Sequence, residues 1–481
     1  MRCLLLLASF AAASSGAAFS HAQAPPNVID FGSARFSFLS PTLVRLQQLG
    51  SGGAFDQRPS LSFPFSAATA SPAFVANATT LGDLINITTA GVQVLYNRSA
   101  SGGAFAPGSL SVTLLSPPFS VWAPGAVGST LGGTRLDLGC YDSFAACYSN
   151  GLGWGPLSRD GWALWDDTNS TKMSTDIEPA VGFPWFAAQP ASADAQDLFL
   201  FAQGLDFAAG LRDFARVSGP PPLPPYSAFG VWWSLWYDFS EGEFDRLVLQ
   251  EYASRNLPLD VAVLDMGWHI QPHITNCSSW GGFTWNRGLI PAAEAWVAGL
   301  RAGSSPTGAP LAVLLNGHPD DGIGPCEENY TAFSQAIGAD ASVHAKYPCD
   351  MSNATWAGAL VDTMLRPKGL SAWWTDYNGC TPPQPRALPL PSASGCPAAQ
   401  QSNASTQELL WSNYVYSEST RVTGARPLVL SRYGGLGNQR YGIGFSGDTQ
   451  STWDTLALQV AMTPTAANVL FGYWSHDIGG A

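Results

Sequence analysis

The chain has 481 residues, 46% of them hydrophobic and only 12% charged, with a formal net charge of −13. That length and apolar content can bury large cores and predicts two or more domains, while an acidic, lightly charged surface lacks the basic footprint that binds nucleic acid. A neutral ligand suits it better: the 18 Trp, 25 Phe and 14 Tyr include flat rings of the kind that stack on sugar faces, although core packing accounts for most of them.

At the N-terminus, Met1-Arg2 leads into a mostly apolar run from Cys3 to Ala13, then small residues and a small-x-small sequence at Ser20-His21-Ala22. This predicts a signal peptide over residues 1–22 and a secreted or lumenal product. No later stretch approaches about 18 uninterrupted apolar residues, so no membrane anchor is expected within these residues. Asn-x-Ser/Thr acceptors at Asn77, Asn86, Asn97, Asn169, Asn276, Asn329, Asn353 and Asn403 fit passage through a glycosylating compartment. Among the cysteines left after processing, Cys140/Cys147, Cys326/Cys349 and Cys380/Cys396 are near neighbours that can each close a local loop in an oxidising compartment, which leaves Cys277 over. No Cys-x-x-Cys or paired-His spacing suggests a metal site, and no cofactor is expected.

From about residue 25 to 205 short alternating strands such as Val92–Tyr96 and Leu110–Leu115 are broken by Gly, Pro, Ser and Asn, the pattern of a β-sandwich. Phe207 to Val217 has helical apolar spacing, and Pro220–Pro225 then stiffens the chain into a linker. The expected boundary falls there, with a sandwich over 23–218 and a second domain over 219–481. In that second domain continuous apolar runs alternate with helical patterns, as in parallel strands buried on both faces. The runs are Gly230–Ser234, Leu259–Asp265, Leu311–Leu315, Ala372–Asp376, Leu428–Ser431, Gly442–Ser446 and Val469–Trp474. Several end in polar or acidic residues, where a (β/α)8 TIM barrel collects its active site. Seven strands can be counted and an eighth is missing, so the chain reads as a barrel truncated at its C-terminus; a doubly wound open sheet of seven strands is the alternative.

Two acids stand at strand ends: Asp376, in Trp373-Trp374-Thr375-Asp376-Tyr377-Asn378-Gly379, and Asp448, in Ser446-Gly447-Asp448-Thr449. Each also reads as an ordinary turn residue. As a pair at the ends of the fourth and sixth strands they suit glycoside hydrolysis, which needs one ionised and one protonated carboxyl about 5–5.5 Å apart for retention. Trp373 and Trp374 are expected to exclude water beside Asp376, so a nearby cation or hydrogen-bond donors should offset the desolvation of a charged nucleophile there, and Arg432 is the candidate.

From about Pro224 to Gly480 the chain resembles the catalytic domain of glycoside hydrolase family 31, the α-glucosidases and α-xylosidases. Trp373–Asn378 is similar to the family's nucleophile motif, with Gly379 where Glu is usual. Leu430-Ser431-Arg432 through Gln439-Arg440-Tyr441 to Asp448 and Trp453 resembles its second signature, and Trp474-Ser475-His476-Asp477-Ile478-Gly479-Gly480 its third. The resemblance implies a (β/α)8 barrel behind a galactose-mutarotase-like sandwich. It also implies Asp376 as nucleophile, Asp448 as acid/base, and Arg432, Asp477 and His476 around the sugar. Leu264-Asp265-Met266-Gly267-Trp268 resembles the second-strand motif whose first Asp, here Asp265, grips a distal hydroxyl; Gly267 stands where relatives have a second Asp. Gly161–Asp167 resembles a sandwich segment at the family's active-site rim. Trp374 is expected to touch sugar, whereas Trp232, Trp233, Trp236, Trp280 and Trp285 are expected to pack; His269 is a lesser site candidate. The partner so implied is an oligosaccharide or glycoside. The activity expected is that of an exo-acting retaining α-glycosidase, most simply an α-glucosidase. An inactive glycan-binding relative and an α-xylosidase or clan α-galactosidase are the alternatives.

Overall fold

The computed structural model describes residues 27–477 except 52, 67–73, 135–152, 187–193, 272–280, 318, 320–321, 377–402 and 433, with side chains in the helix Asn403–Arg421 from 412 onward. The first twelve strands are β1 (Val28–Phe31), β2 (Ala34–Phe38), β3 (Leu43–Gln48), β4 (Asn77–Leu81), β5 (Leu84–Thr88), β6 (Val92–Asn97), β7 (Leu110–Leu114), β8 (Val121–Trp122), β9 (Ala163–Asp166), β10 (Met173–Glu178), β11 (Phe183–Phe186) and β12 (Gln196–Phe201). They form two five-stranded antiparallel sheets, β1-β2-β3-β12-β9 and β4-β5-β6-β7-β8, and the hairpin β10-β11.

Strand alternation explains how the first sheet is used twice. Along β12, Leu198 and Leu200 join a cluster with Ile87, Val94 and Val112 of the second sheet, so the two sheets face each other as a sandwich. Phe199 and Phe201, one residue out of phase, point the other way. They pack with Phe214 and Val217 of the helix Phe207–Ser218 and with Leu436, Met462 and Phe471 of the C-terminal half. A buried ion cluster stiffens this sheet: Arg45 is paired to Asp197 at 2.7 Å, and Lys172 Nζ lies 3.1 Å from both Asp197 and Asp167. Against the desolvation of its burial, the two cations hold the Asp197 carboxyl down at about 2. Gly161–Asp167 belongs to this interior, with Trp162 in the sandwich core and Trp165 in the second cluster.

The C-terminal half is a curled, all-parallel sheet of seven strands: β13 (Trp232–Trp233), β14 (Val261–Leu264), β15 (Ala312–Asn316), β16 (Ala372–Thr375), β17 (Leu428–Ser431), β18 (Ile443–Phe445) and β19 (Trp474–Ser475), in that order. Among the described residues β13 and β19 are its two edges. Six strands fall within the expected runs, β15 extending one residue beyond its run to Asn316. The seventh was expected over Val469–Trp474 and is formed by Trp474–Ser475 instead. Val469 and Phe471 are buried in the cluster against the sandwich, so their apolarity serves the contact between the two halves rather than strand pairing. Cys326 and Cys349 are both disulfide-bonded, in a loop where Ile323 bridges Tyr347; the other expected cysteine pairs, Cys277 and residues 1–22 lie outside the described residues.

Period-two alternation sets the barrel interior. Val261 and Val263, Leu314, Ala372 and Trp374, Leu428 and Phe445 share one inner cluster. Ala262, Leu264, Val313, Leu315, Trp373 and Val429 face outward onto helix residues such as Val297, Leu300, Leu360 and Val415. Each buried Val, Leu or Phe among them contributes roughly 1.5–3 kcal/mol.

Replacing Lys172 with Met should destabilise the protein by about 3–5 kcal/mol, because two buried carboxylates lose their shared cation. Urea unfolding measures this, and an unchanged midpoint would show the cluster to be energetically neutral.

Candidate active site

Carrying the alternation one step past each strand brings Asp265 after β14, Asn316 at the end of β15, Asp376 after β16 and Arg432 after β17 to the same inward layer, directly above Val263, Leu314, Trp374 and Leu430. The side chains meet there. Arg432 Nη1 lies 3.3 Å from Asp376 Oδ1 and 3.6 Å from Asp448 Oδ2. The two acids differ in exposure: the Asp376 side chain is 14% exposed and that of Asp448 52%. One carboxyl is thus sheltered and the other open to water. Because a single nitrogen touches both, their oxygens are no farther apart than the two contacts laid end to end, which admits the about 5–5.5 Å of a retaining pair.

Asn316 joins the acids from below. Its Nδ2 donates to Asp265 Oδ1 at 2.8 Å and to Asp376 Oδ2 at 3.2 Å, and its side chain is fully buried with Oδ1 unpartnered among the described residues. Sequence reasoning passed over this residue because an asparagine at a strand end carries no titratable group; its inward parity on β15 is the signal that would have found it. Trp268 holds the same strand end from outside, donating its indole N–H to the Asn316 carbonyl at 2.6 Å.

Asp265 also accepts the Met266 N–H at 2.7 Å. Burial, more than the neighbouring acids Asp376 and Asp448, raises its carboxyl to about 6, against the pull of the Asn316 and Met266 donors. Asp477 rises to about 6 as well, through burial first and then the charges of Asp376, Asp448 and Asp265, with Arg432 opposing. His476 is pushed down by burial, which favours the uncharged ring; it lies edge-on to Trp474 at 4.9 Å, with a buried Nδ1 that has no partner among the described residues.

The aromatics separate into floor and wall. Trp374, expected to touch sugar, is 7% exposed and packs edge-on against Phe445 at 5.3 Å in the inner cluster, which makes it the floor beneath Asp376. Trp285 packs against Trp268 at 4.7 Å, and Trp233 against Phe239 and Phe244. Trp236 is exposed on the loop after β13, and Trp280 lies outside the described residues. His269 is buried in its own loop beside Gln271. At Gly267 a side chain would meet Asp238 Oδ1 at 2.6 Å and the Tyr237 carbonyl at 2.9 Å, so Asp238, from the loop after β13, occupies the room that a second Asp at this position would need.

Residues 221–481 match the TIM-barrel domain of glycosyl hydrolases family 31, and the chain belongs to glycoside hydrolase family 31. Among curated relatives, an alpha-xylosidase of Emericella nidulans is 26% identical over 294 residues, covering 56% of this chain and 34% of the relative. Alpha-glucosidase 2 of Bacillus thermoamyloliquefaciens is 23% identical over 339 residues, covering 65% and 40%. The chain therefore spans well under half the length of these relatives. Among solved structures, a family 31 dextranase of Flavobacterium johnsoniae, complexed with isomaltotriose, superposes with a TM-score of 0.62 at 16% identity, covering 95% of this chain and 62% of that one. A family 31 alpha-xylosidase from a soil metagenome, complexed with xylose, gives 0.63 at 14% identity, covering 94% and 71%.

Asp265→Asn tests the electrostatics. A carboxyl raised from its unfolded value to about 6 favours folding when protonated and loses that contribution as pH rises through 6. The variant should match the parent near pH 4 and be more stable at pH 7.5 by on the order of 1–3 kcal/mol; thermal melts at the two pH values decide it, and an equal or lower melting temperature at pH 7.5 would refute the assignment.

Proposed function

We propose that the protein is an exo-acting, retaining α-glycosidase that removes terminal non-reducing α-linked sugars, most simply an α-glucosidase, by double displacement. The observation that carries this reading is the contact of one guanidinium with both Asp376 and Asp448. Asp376 is the sheltered carboxylate, held by Arg432 and the Asn316 amide, donors that stabilise a charged nucleophile. It attacks the anomeric carbon and forms a covalent glycosyl ester. Asp448, open to solvent, protonates the departing oxygen, then takes a proton from the water that cleaves the ester.

Asp265 and Asp477 flank the pair and accept hydrogen bonds from hydroxyls of the bound sugar, with Arg432 and His476 beside them; these contacts strengthen as the ring flattens towards an oxocarbenium-like state. Trp374 closes the floor and keeps water from the nucleophile's rear. The mechanism calls on no metal or cofactor. The names of the relatives, among them alpha-xylosidases and alpha-glucosidases, and the sugars bound in the solved structures support a glycoside substrate. The predicted signal peptide and the acceptor Asn77, exposed on β4, support passage through the secretory pathway, and we propose a secreted or lumenal site of action.

The test is hydrolysis of p-nitrophenyl α-glucoside, α-xyloside and α-galactoside by the protein and by Asp376→Ala and Asp448→Ala. One α-glycoside should be cleaved with first release of the α-anomer, and Asp376→Ala should lose about a thousandfold or more of kcat. Azide should restore turnover to Asp448→Ala by trapping the glycosyl ester. Release of the β-anomer would refute retention, and saccharide binding without turnover would replace the enzyme by a glycan-binding protein.

A further inference from the structure

A buried polar chain links the strand of the nucleophile to the N-terminal domain. Thr375, next to Asp376, donates its hydroxyl to Asn413 Oδ1 at 3.0 Å, and Asn413 Nδ2 donates to Asn438 Oδ1 at 2.8 Å. Asn438 opens the 3-10 turn Asn438–Arg440, in the loop between β17 and β18. From that turn Gln439 Nε2 donates to Ser218 Oγ and to the Gly219 carbonyl, both at 3.0 Å. Arg440 Nη1 donates to the Ser218 carbonyl at 2.6 Å, and its Nη2 reaches the Leu61 carbonyl and, at 3.0 Å, the Tyr441 hydroxyl. Ser218 in turn donates to the Ser62 carbonyl at 2.9 Å. Every side chain in the chain is buried.

Arg440 is the unusual member. Among the described residues no carboxylate is in ion-pair contact with it, and Glu418 nearby is paired with Arg421. Its charge is met by main-chain carbonyls, including the last one of the helix Phe207–Ser218, where the final carbonyls lack intrahelical donors and the helix dipole is negative. A planar fork reaches carbonyls of two segments from two separate nitrogens held in fixed geometry, whereas a lysine offers a single nitrogen on a flexible stem. The loop gripped in this way leaves β17 at Arg432 and returns through β18 to Asp448. Both ends of the acid-pairing contact therefore hang on one clamp.

We propose that Arg440, with Gln439 and Asn413, is a positioning residue that registers the β17–β18 loop, and through it Arg432 and Asp448, against the N-terminal domain. The kinetic consequence rests on the glycosidase reading; the structural one does not. Misplacing a catalytic group by about 1 Å costs on the order of a hundredfold in rate, so kcat is the sensitive parameter.

The experiment compares Arg440→Met and Arg440→Lys with the parent by amide hydrogen exchange, thermal melting and α-glycoside turnover. In both variants exchange over residues 434–448 should rise about tenfold or more while β14 and β15 keep their protection. The kcat should fall about 10–100-fold with KM changed less than about threefold, and Lys should not restore it. If the methionine variant does not fold, Gln439→Leu, which removes donors without stranding a charge, provides the same readouts. Unchanged exchange over 434–448, or loss of protection spread evenly across the barrel, would overturn the proposal. A parent with no turnover sinks the enzymatic reading alone, since exchange still decides the clamp.

Discussion

One guanidinium among four carboxylates is the constraint on which the site depends. Arg432 is the cation in contact with Asp376 and Asp448, and Asp265 and Asp477 add two more acids to the same layer. Four like charges are costly to hold around one cation in a partly dry site, and burial together with the neighbouring acids raises Asp265 and Asp477 to about 6, so that each is only half ionised there. The acid nearest Arg432 keeps its charge partner, the acid farther out meets water, and the remaining two share protons with the medium. Different chemical roles for identical side chains follow from that ordering.

The barrel does not hold this layer alone. Its inner cluster supplies a floor of Val263, Leu314 and Trp374, which fixes height, but the lateral position of Arg432 and Asp448 is set by a loop whose buried turn is bonded to Ser218, Gly219 and Leu61. The same first sheet of the sandwich packs Phe199 and Phe201 against Met462 and Phe471. The two halves thus share a core as well as a clamp, and the N-terminal domain is part of the scaffold of the site rather than an appendage to it.

Much of the fold was legible in the chain because its signals are local. Parallel strands buried on both faces need continuous apolar runs, so β13 to β18 stood out, and Asp376 and Asp448 were framed by strand-end sequences. The last strand was displaced because Val469 and Phe471 are apolar for a different reason, contact with the sandwich, which a local pattern cannot distinguish from strand burial. Trp374 reads as a sugar contact from its residue type, and its inward parity places it beneath Asp376.

What the sequence alone determined is the kind of elements, their order and the acids at their ends, since periodicity and turn chemistry act over a few residues. Only the tertiary structure decided which groups share a layer. Asn316 bridges Asp265 and Asp376 across 51 and 60 positions, and Arg440 reaches Leu61 across 379. Contacts at such separations depend on how strands register and domains dock, and that information resides in packing rather than in any local run of residues.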